Sequence, residues 1–264
     1  MESNQFDVVC FTDLDDTLFQ TPRKMTEAEL VHAAPGASDA TGKVRSFMTQ
    51  RQQMLVNWLL NTTTVIPVTA RQSEQMARVH IPFTSYRVTT HGAVILTPDG
   101  EEMAEWKQHI QTSLEAVSDK LRELESTVQG ILANPADHGL DGLDAWCRMN
   151  QEYDQDIYLV SKVTNSETAA MLADLERKVN EKCGLDTDPD FYIHRNGNNL
   201  AWIPSCITKK HAVTFLMEHE PSLKDKFAMG MGDSLSDLPF TGCCDFSAIP
   251  VGSQAWQQLS GDEQ

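Results

Sequence analysis

This sequence predicts an α/β fold, a doubly wound and mostly parallel sheet with a smaller α+β block inserted into it. Three observations lead there. Short, continuously apolar runs at residues 6–12, 64–68 and 226–231 have the length and composition of buried parallel strands. Each run ends in a polar cluster: Asp13-Leu14-Asp15-Asp16-Thr17, Thr69-Ala70-Arg71 and Gly232-Asp233. Between about residues 86 and 204 the texture changes to hairpin signals and amphipathic helices.

The elements follow in order. The first strand, FDVVCFT, delivers two aspartates to its C-terminal end, where doubly wound folds place their chemistry. Residues 20–46 are polar and rich in Pro and Gly, long for a simple connection, and read as a lid segment or a mobile loop. Gly36 and Gly42-Lys43 in this stretch imitate a phosphate-binding loop. The glycine spacing is one residue too long, Val44 replaces the needed hydroxyl, and no apolar strand precedes it, so that reading is rejected. Thr49 is placed to cap a helix with Leu55, Val56, Leu59 and Leu60 inward, and the strand TVIPV follows.

Residues 88–96 and the turn Pro98-Asp99-Gly100 then suggest a hairpin. One amphipathic helix is expected from Trp106 through Val128, ending near Gly130. Strands near 145–149 and 157–163 and a helix over 167–183 follow, and then a hairpin turning at Asn196-Gly197. A helix from Lys209 and the strand KFAMGM, ending in Gly232-Asp233-Ser234-Leu235-Ser236-Asp237, return to the first pattern. The expected division is a core of 1–85 and 205–264 with an inserted domain of 86–204.

Composition narrows the function classes. The chain of 264 residues is 41% apolar and 22% charged, ordinary for a folded domain. A formal net charge of −17 repels nucleic-acid phosphates and anionic lipid, so neither is an expected partner. No apolar run has the length of a membrane span, and the opening MESNQFD lacks a basic segment followed by an apolar one. A cytoplasmic place is expected. The six cysteines form no CxxC pair, and reduced thiols are the simple reading.

A lone Asp-x-Asp is common on surfaces. Here Asp13 and Asp15, Thr69, and Asp233 with Asp237 each follow a predicted parallel strand, so all should meet at one edge of the sheet, with Lys209 opening a helix nearby. In this order and spacing they resemble the haloacid-dehalogenase-like phosphatases, whose core is a Rossmann-like parallel sheet. The branch indicated includes the Cof-type and sucrose-phosphatase-like enzymes, which carry an α+β cap between the second and third motifs. Thr69-Ala70-Arg71 stands where that branch usually reads TGR. His91-Gly92-Ala93 resembles its first cap hairpin, and GDSLSDLPF at 232–240 its last motif. Ala70, His91, Lys210 and Ser236 depart from the usual residues, which bears on substrate more than on reaction.

The resemblance implies Mg²⁺-dependent hydrolysis of a phosphomonoester of a small metabolite, a sugar phosphate first among them. Asp13 is the implied nucleophile and Asp15 the general acid and base. Thr69 and Lys209 are implied to hold the transferring oxygens, with Lys210 a competitor for the second role. Asp13, Asp233 and Asp237, with the backbone carbonyl of Asp15, are the implied metal ligands. Such a cap would close over the site and read the leaving group. Arg71 either steers the substrate or pairs with an acid, and His91 either touches the leaving group or sits in its hairpin. Arg195 and Asn198, beside the second hairpin turn, are further candidates for substrate contact. Asp16 and Thr17 either cap and tighten the loop or join the chemistry, and for Asp16 the loop role is the expected one. The alternatives are a catalytically silent module that keeps the fold and another phosphotransferase such as a phosphomutase.

Overall fold

The computed structural model describes residues 6–261. Two compact units make up the chain: one runs to Lys107 and resumes at Thr208, and the other is Gln108–Ile207.

In the first unit, β1 (Val8–Thr12) is followed by a short helix α1 (Glu27–Val31) and a hairpin, β2 (Ala34–Ser38) and β3 (Val44–Met48). Residues 20–46, expected as a lid or loop, are therefore largely ordered secondary structure. Gly36 lies within β2 and Gly42 in the hairpin turn, so neither belongs to a phosphate loop. Thr49 caps α2 (Gln50–Thr62) in a reciprocal capping box with Gln52, which satisfies two otherwise orphaned N–H groups. Then come β4 (Thr64–Pro67), α3 (Ser73–Met76), β5 (Arg87–Thr89) and β6 (Val94–Leu96).

The chain turns back at residues 98–100, as the expected hairpin requires, with Leu96 bridging Glu102, but residues 88–96 also fold back on themselves at residues 90–92. Thr90, His91 and Gly92 carry φ of 52°, 59° and 104°, which extended backbone cannot accommodate. Val68 bridges Val88, and Thr69 N–H donates to the Val88 carbonyl, so this hairpin belongs to the first unit. The boundary accordingly lies at Gln108, later than the expected residue 86.

One expected helix is two: α4 (Ala104–Glu115), which spans the boundary in sequence, and α5 (Ser118–Ala133). Val117, with φ −113° and ψ 3°, breaks them, and Gly130 lies inside α5. The second unit continues with β7 (Ala145–Glu152), β8 (Gln155–Val163), α6 (Leu172–Cys183), β9 (Phe191–Asn196) and β10 (Asn199–Pro204). They form an antiparallel sheet in the order β7-β8-β10-β9. Its turns are Tyr153-Asp154, both with positive φ, and Gly197-Asn198, one residue later than expected. Leu124, Val128, Leu159, Leu175, Val179 and Trp202 are among the residues that fill the core between one face of this sheet and α5 and α6.

The first unit closes with α7 (Lys209–His219), β11 (Phe227–Met231), α8 (Leu238–Thr241), β12 (Phe246–Ala248) and α9 (Gln254–Ser260). Its parallel sheet runs β12-β11-β1-β4. Thr12 lies opposite both Met231 and Pro67, so β1, β11 and β4 end together. No described helix is long and apolar enough to cross a membrane.

Candidate active site

The level ends of β1, β11 and β4 gather the polar clusters that follow them. Asp13 is the first residue past β1, and its N–H donates to the Met231 carbonyl at 2.8 Å, which continues the ladder by one residue and holds the carboxylate at the edge. Asp233 stands two residues past the end of β11 and Thr69 two past the end of β4. All but Asp233 are nearly closed to solvent: Asp13 is 6% exposed, Thr69 1% and Asp237 1%.

Lys209, the first residue of α7, is also buried and joins two of these acids. Its ammonium donates to Asp13 Oδ1 at 2.6 Å and to Asp237 Oδ1 at 2.7 Å. Lys210, on the same turn, is exposed. That settles which of the two lysines reaches the acids, because a buried ammonium needs carboxylate partners to offset its lost hydration. Thr208 caps α7 through its Oγ1, which accepts from His211 N–H. Burial works against the charge on Lys209, but Asp13 and Asp237 outweigh it and hold the ammonium above its ordinary range. Burial likewise pushes the Asp13 carboxyl up to about 8, against the pull of Lys209 and with the help of Asp237. Asp233 is pushed up to about 6, by burial first and then by Asp237 and Asp16.

Carboxylate oxygens of Asp13, Asp233 and Asp237 lie within 4.8 Å of one another. An all-oxygen, anionic set suits Mg²⁺, and three carboxylates stand around a single ammonium. Thr17 donates its hydroxyl to Asp233 Oδ1 at 3.3 Å. Ser234 donates through N–H and hydroxyl to Asp237 Oδ2. A Cβ on Gly232 would lie 2.3 Å from that of Asp237, so only glycine lets the loop fold this tightly. The Gly-Asp pair signalled this loop in the sequence, and Thr17 closes the Asp13–Thr17 cluster at the end of β1, though its bond to Asp233 had no local signal. A cleft of about 780 Å³ lined by Asp16, Thr17, Gln52, Leu55, Asp233 and Ile249, among others, flanks the cluster without including Asp13.

Asp15 points elsewhere. Arg71 grips it in a fork, Nε to Oδ2 and Nη2 to Oδ1, both at 2.7 Å. The guanidinium also lies over the buried Phe19 ring, with 5.1 Å from Cζ to the centroid. Of the two roles left open for Arg71, pairing with an acid is the one seen, and the acid is Asp15. Asp16 has φ 64° and an ion pair with Lys24 at 2.7 Å, a turn residue as expected. His91 is buried in the left-handed turn, with its N–H on the Thr69 carbonyl at 3.1 Å.

The other two candidates lie in the second unit. Arg195 shares the side of β9 on which Ile193 packs into the helix-covered core, and it is ion-paired with Glu176 of α6 at 2.9 Å. The expected substrate contact is thus matched here by an ion pair within the second unit. His194, one residue earlier, is on the opposite face by strand alternation. Asn198 is a turn residue whose carbonyl accepts from Val163 N–H and whose side chain accepts from Asn199.

No protein-family profile matches the chain, and no curated protein matches it in sequence. Solved structures do match in fold. A trehalose-6-phosphate phosphatase related protein is 16% identical, with a TM-score of 0.50 over 93% of this chain and 88% of the other. The C-terminal domain of trehalose-6-phosphate phosphatase from C. albicans is 12% identical, with a TM-score of 0.54 over 89% and 73%. The Streptococcus mutans UA159 protein SMU.1108c is 11% identical, with a TM-score of 0.51 over 97% and 91%.

Proposed function

We propose, from a chain whose fold is that of the haloacid-dehalogenase-like phosphatases, that it hydrolyses a phosphomonoester of a small metabolite through an aspartyl-phosphate formed on Asp13. One observation carries this reading: a buried carboxylate at the end of a central parallel strand, 2.6 Å from a buried lysine and within 4.8 Å of two further acids. A structural ion pair needs one acid per base. Three acids around one lysine leave excess negative charge, which a divalent cation would neutralise.

Asp13 would attack phosphorus as the ester P–O bond breaks, and Asp15 would give its proton to the leaving oxygen. Water then attacks the phosphorus of the acyl-phosphate and passes its proton to Asp15. Inorganic phosphate leaves and both carboxyls return to their starting state. Thr69 and Lys209 would neutralise and orient the transferring oxygens. The Arg71 fork holds Asp15 in one position, and Asp15 would turn one oxygen from it to meet the leaving group. Asp13, Asp233 and Asp237, with the Asp15 carbonyl, would hold Mg²⁺, which when bound supplies the charge that lets an anionic nucleophile approach a dianionic ester.

A sugar phosphate is the first substrate class to try, because two of the similar structures bear the name trehalose-6-phosphate phosphatase. Arg71 and His91 adjoin Thr69 and are candidates for reading the leaving group; Asn198 is a candidate within the second unit. The proposal places the chain in the cytoplasm, acting on small molecules and not on nucleic acid or a membrane, in keeping with its charge of −17.

The test is phosphate release from a panel of phosphorylated metabolites, with Mg²⁺ and with chelator, for wild type and Asp13→Asn. Mg²⁺-dependent turnover lost in the variant supports the proposal. No release by a folded wild-type chain, across sugar, polyol and nucleotide esters, overturns it in favour of a silent module of the same fold.

A further inference from the structure

Thr69 and Lys209 must face the same phosphoryl group, yet they come from loops 140 residues apart in sequence, and no hydrogen bond joins 69–71 to 208–209 among the described residues. Sheet pairing sets Thr69 beside β1, but Lys209 reaches Asp13 only through the end of a long side chain, so the spacing of the two backbones needs a further contact. We propose that the left-handed turn Thr90–His91–Gly92 supplies it, acting as a rigid spacer between the two; this inference rests on the phosphohydrolase reading above.

On one side the turn is bonded to the Thr69 loop. Thr90 N–H donates to the Arg71 carbonyl at 2.8 Å and His91 N–H to the Thr69 carbonyl at 3.1 Å, just past the bond from Thr69 N–H to Val88. On its other side it abuts the start of α7. A Cβ added to Gly92 would come within 2.3 Å of the Thr208 carbonyl oxygen and 3.0 Å of Lys209 N. Gly92 therefore allows backbone to touch backbone at the residue that caps the lysine's helix. From behind, the buried Trp106 indole donates to the carbonyls of Gly92 and Ala93 at 3.1 and 3.2 Å.

The backbone itself points to function. Three successive residues have positive φ, and the first is a β-branched threonine with no solvent exposure. Thr90 would be unstrained as glycine or asparagine, and an ordinary hairpin would use one of them. Backbone held off its favoured region persists where its surroundings over-determine it, and such residues cluster at functional sites. The bulky Thr90 narrows the conformations open to the turn, and a stiff turn gives the two loops one spacing.

The experiment compares Thr90→Gly, which keeps every backbone bond and relieves the strain, with Thr90→Asn, which tolerates the left-handed region but is stiffer than glycine. Expected for Thr90→Gly is a cooperatively folded protein with kcat lowered on the order of ten-fold or more, since displacing a positioned group by about 1 Å costs up to roughly a hundred-fold. KM should stay within about two-fold. Affinity for orthovanadate in Mg²⁺, measured by calorimetry, should fall with kcat because it reports the five-coordinate geometry rather than the ground state. Thr90→Asn should recover most of both losses. A folded Thr90→Gly with wild-type kcat and vanadate affinity overturns the proposal, as does a Thr90→Asn no better than Thr90→Gly. If wild type hydrolyses no ester, the function above fails on its own, and the spacer still stands or falls by vanadate affinity across the three proteins.

Discussion

The two sheets of this molecule carry polar side chains in different ways. In the first unit the central strands β1 and β4 are buried along nearly their whole length, and the candidate functional groups sit past the strand ends: Asp13 after β1, Thr69 after β4 and Asp233 after β11. In the second unit the antiparallel sheet packs one face on α5 and α6, and the character of a residue depends on which face it takes. Arg195 and His194 are neighbours in the chain, and alternation sends them to opposite sides. In a parallel sheet, chemistry is a matter of where strands stop. In an antiparallel one it is a matter of parity, and a slip of one residue reverses it.

The largest effect that tests this contrast is at a strand end. Asp13→Asn should lower kcat by at least about four orders of magnitude, as removal of a nucleophile does elsewhere, while the protein stays folded. Retained turnover would mean that the strand-end carboxylate is not the reacting group. Next is Lys209→Met. It leaves Asp13 and Asp237 buried without their shared cation, and losing one partner of such a pair costs about 3–5 kcal/mol. Chemical denaturation in chelator should show that loss, and Mg²⁺ should restore part of it.

A comparable cost is expected in the second unit from Trp202→Ala, for a different reason. The indole is wholly buried and bonded to Asn180 Oδ1 at 3.1 Å, so truncation leaves a cavity worth about 3–5 kcal/mol and Mg²⁺ should restore none of it. Rescue by Mg²⁺ of Lys209→Met alone would separate charge from packing as the stabilising principle of the two units. Equal rescue of both would remove the distinction.

Smaller still is a pH effect. Asp13 and Asp233 are raised to about 8 and about 6, so between the ordinary carboxylate range and pH 8 the metal-free folded chain holds more protons than the unfolded one. Stability must then fall as pH rises through that window. Tm in chelator should drop from pH 5 to pH 8, and the increment from Mg²⁺ should grow over the same range. An increment independent of pH would show that these acids are not where the metal binds. Least of all, Arg195→Ala removes a partly exposed ion pair worth at most about 1 kcal/mol and should leave KM unchanged. A ten-fold rise in KM would return Arg195 to the substrate and undo the parity argument.

Much of the site was legible from the chain alone because its signals are local. Apolar runs of strand length followed at once by Asp13, Thr69 or Gly232-Asp233 need no tertiary information to be read, and capping at Thr49 follows from the side chains within one turn. Other features depended on contacts distant in sequence. The hairpin at Tyr153-Asp154 lacks the glycine that usually announces such a turn. The break at Val117 and the fold-back at residues 90–92 oppose local propensity, and packing imposes both.

What this sequence determined by itself was the class of fold, the strand ends at which acids, threonine and lysine collect, and hence the kind of chemistry to expect, since strand length and residue type are properties of the chain. The tertiary structure decided pairing: Lys209 and not Lys210 between Asp13 and Asp237, Arg71 on Asp15, Arg195 on Glu176, and a strained turn between the loops of Thr69 and Lys209. A charged side chain takes the partner that burial brings near, and burial is a property of the whole fold.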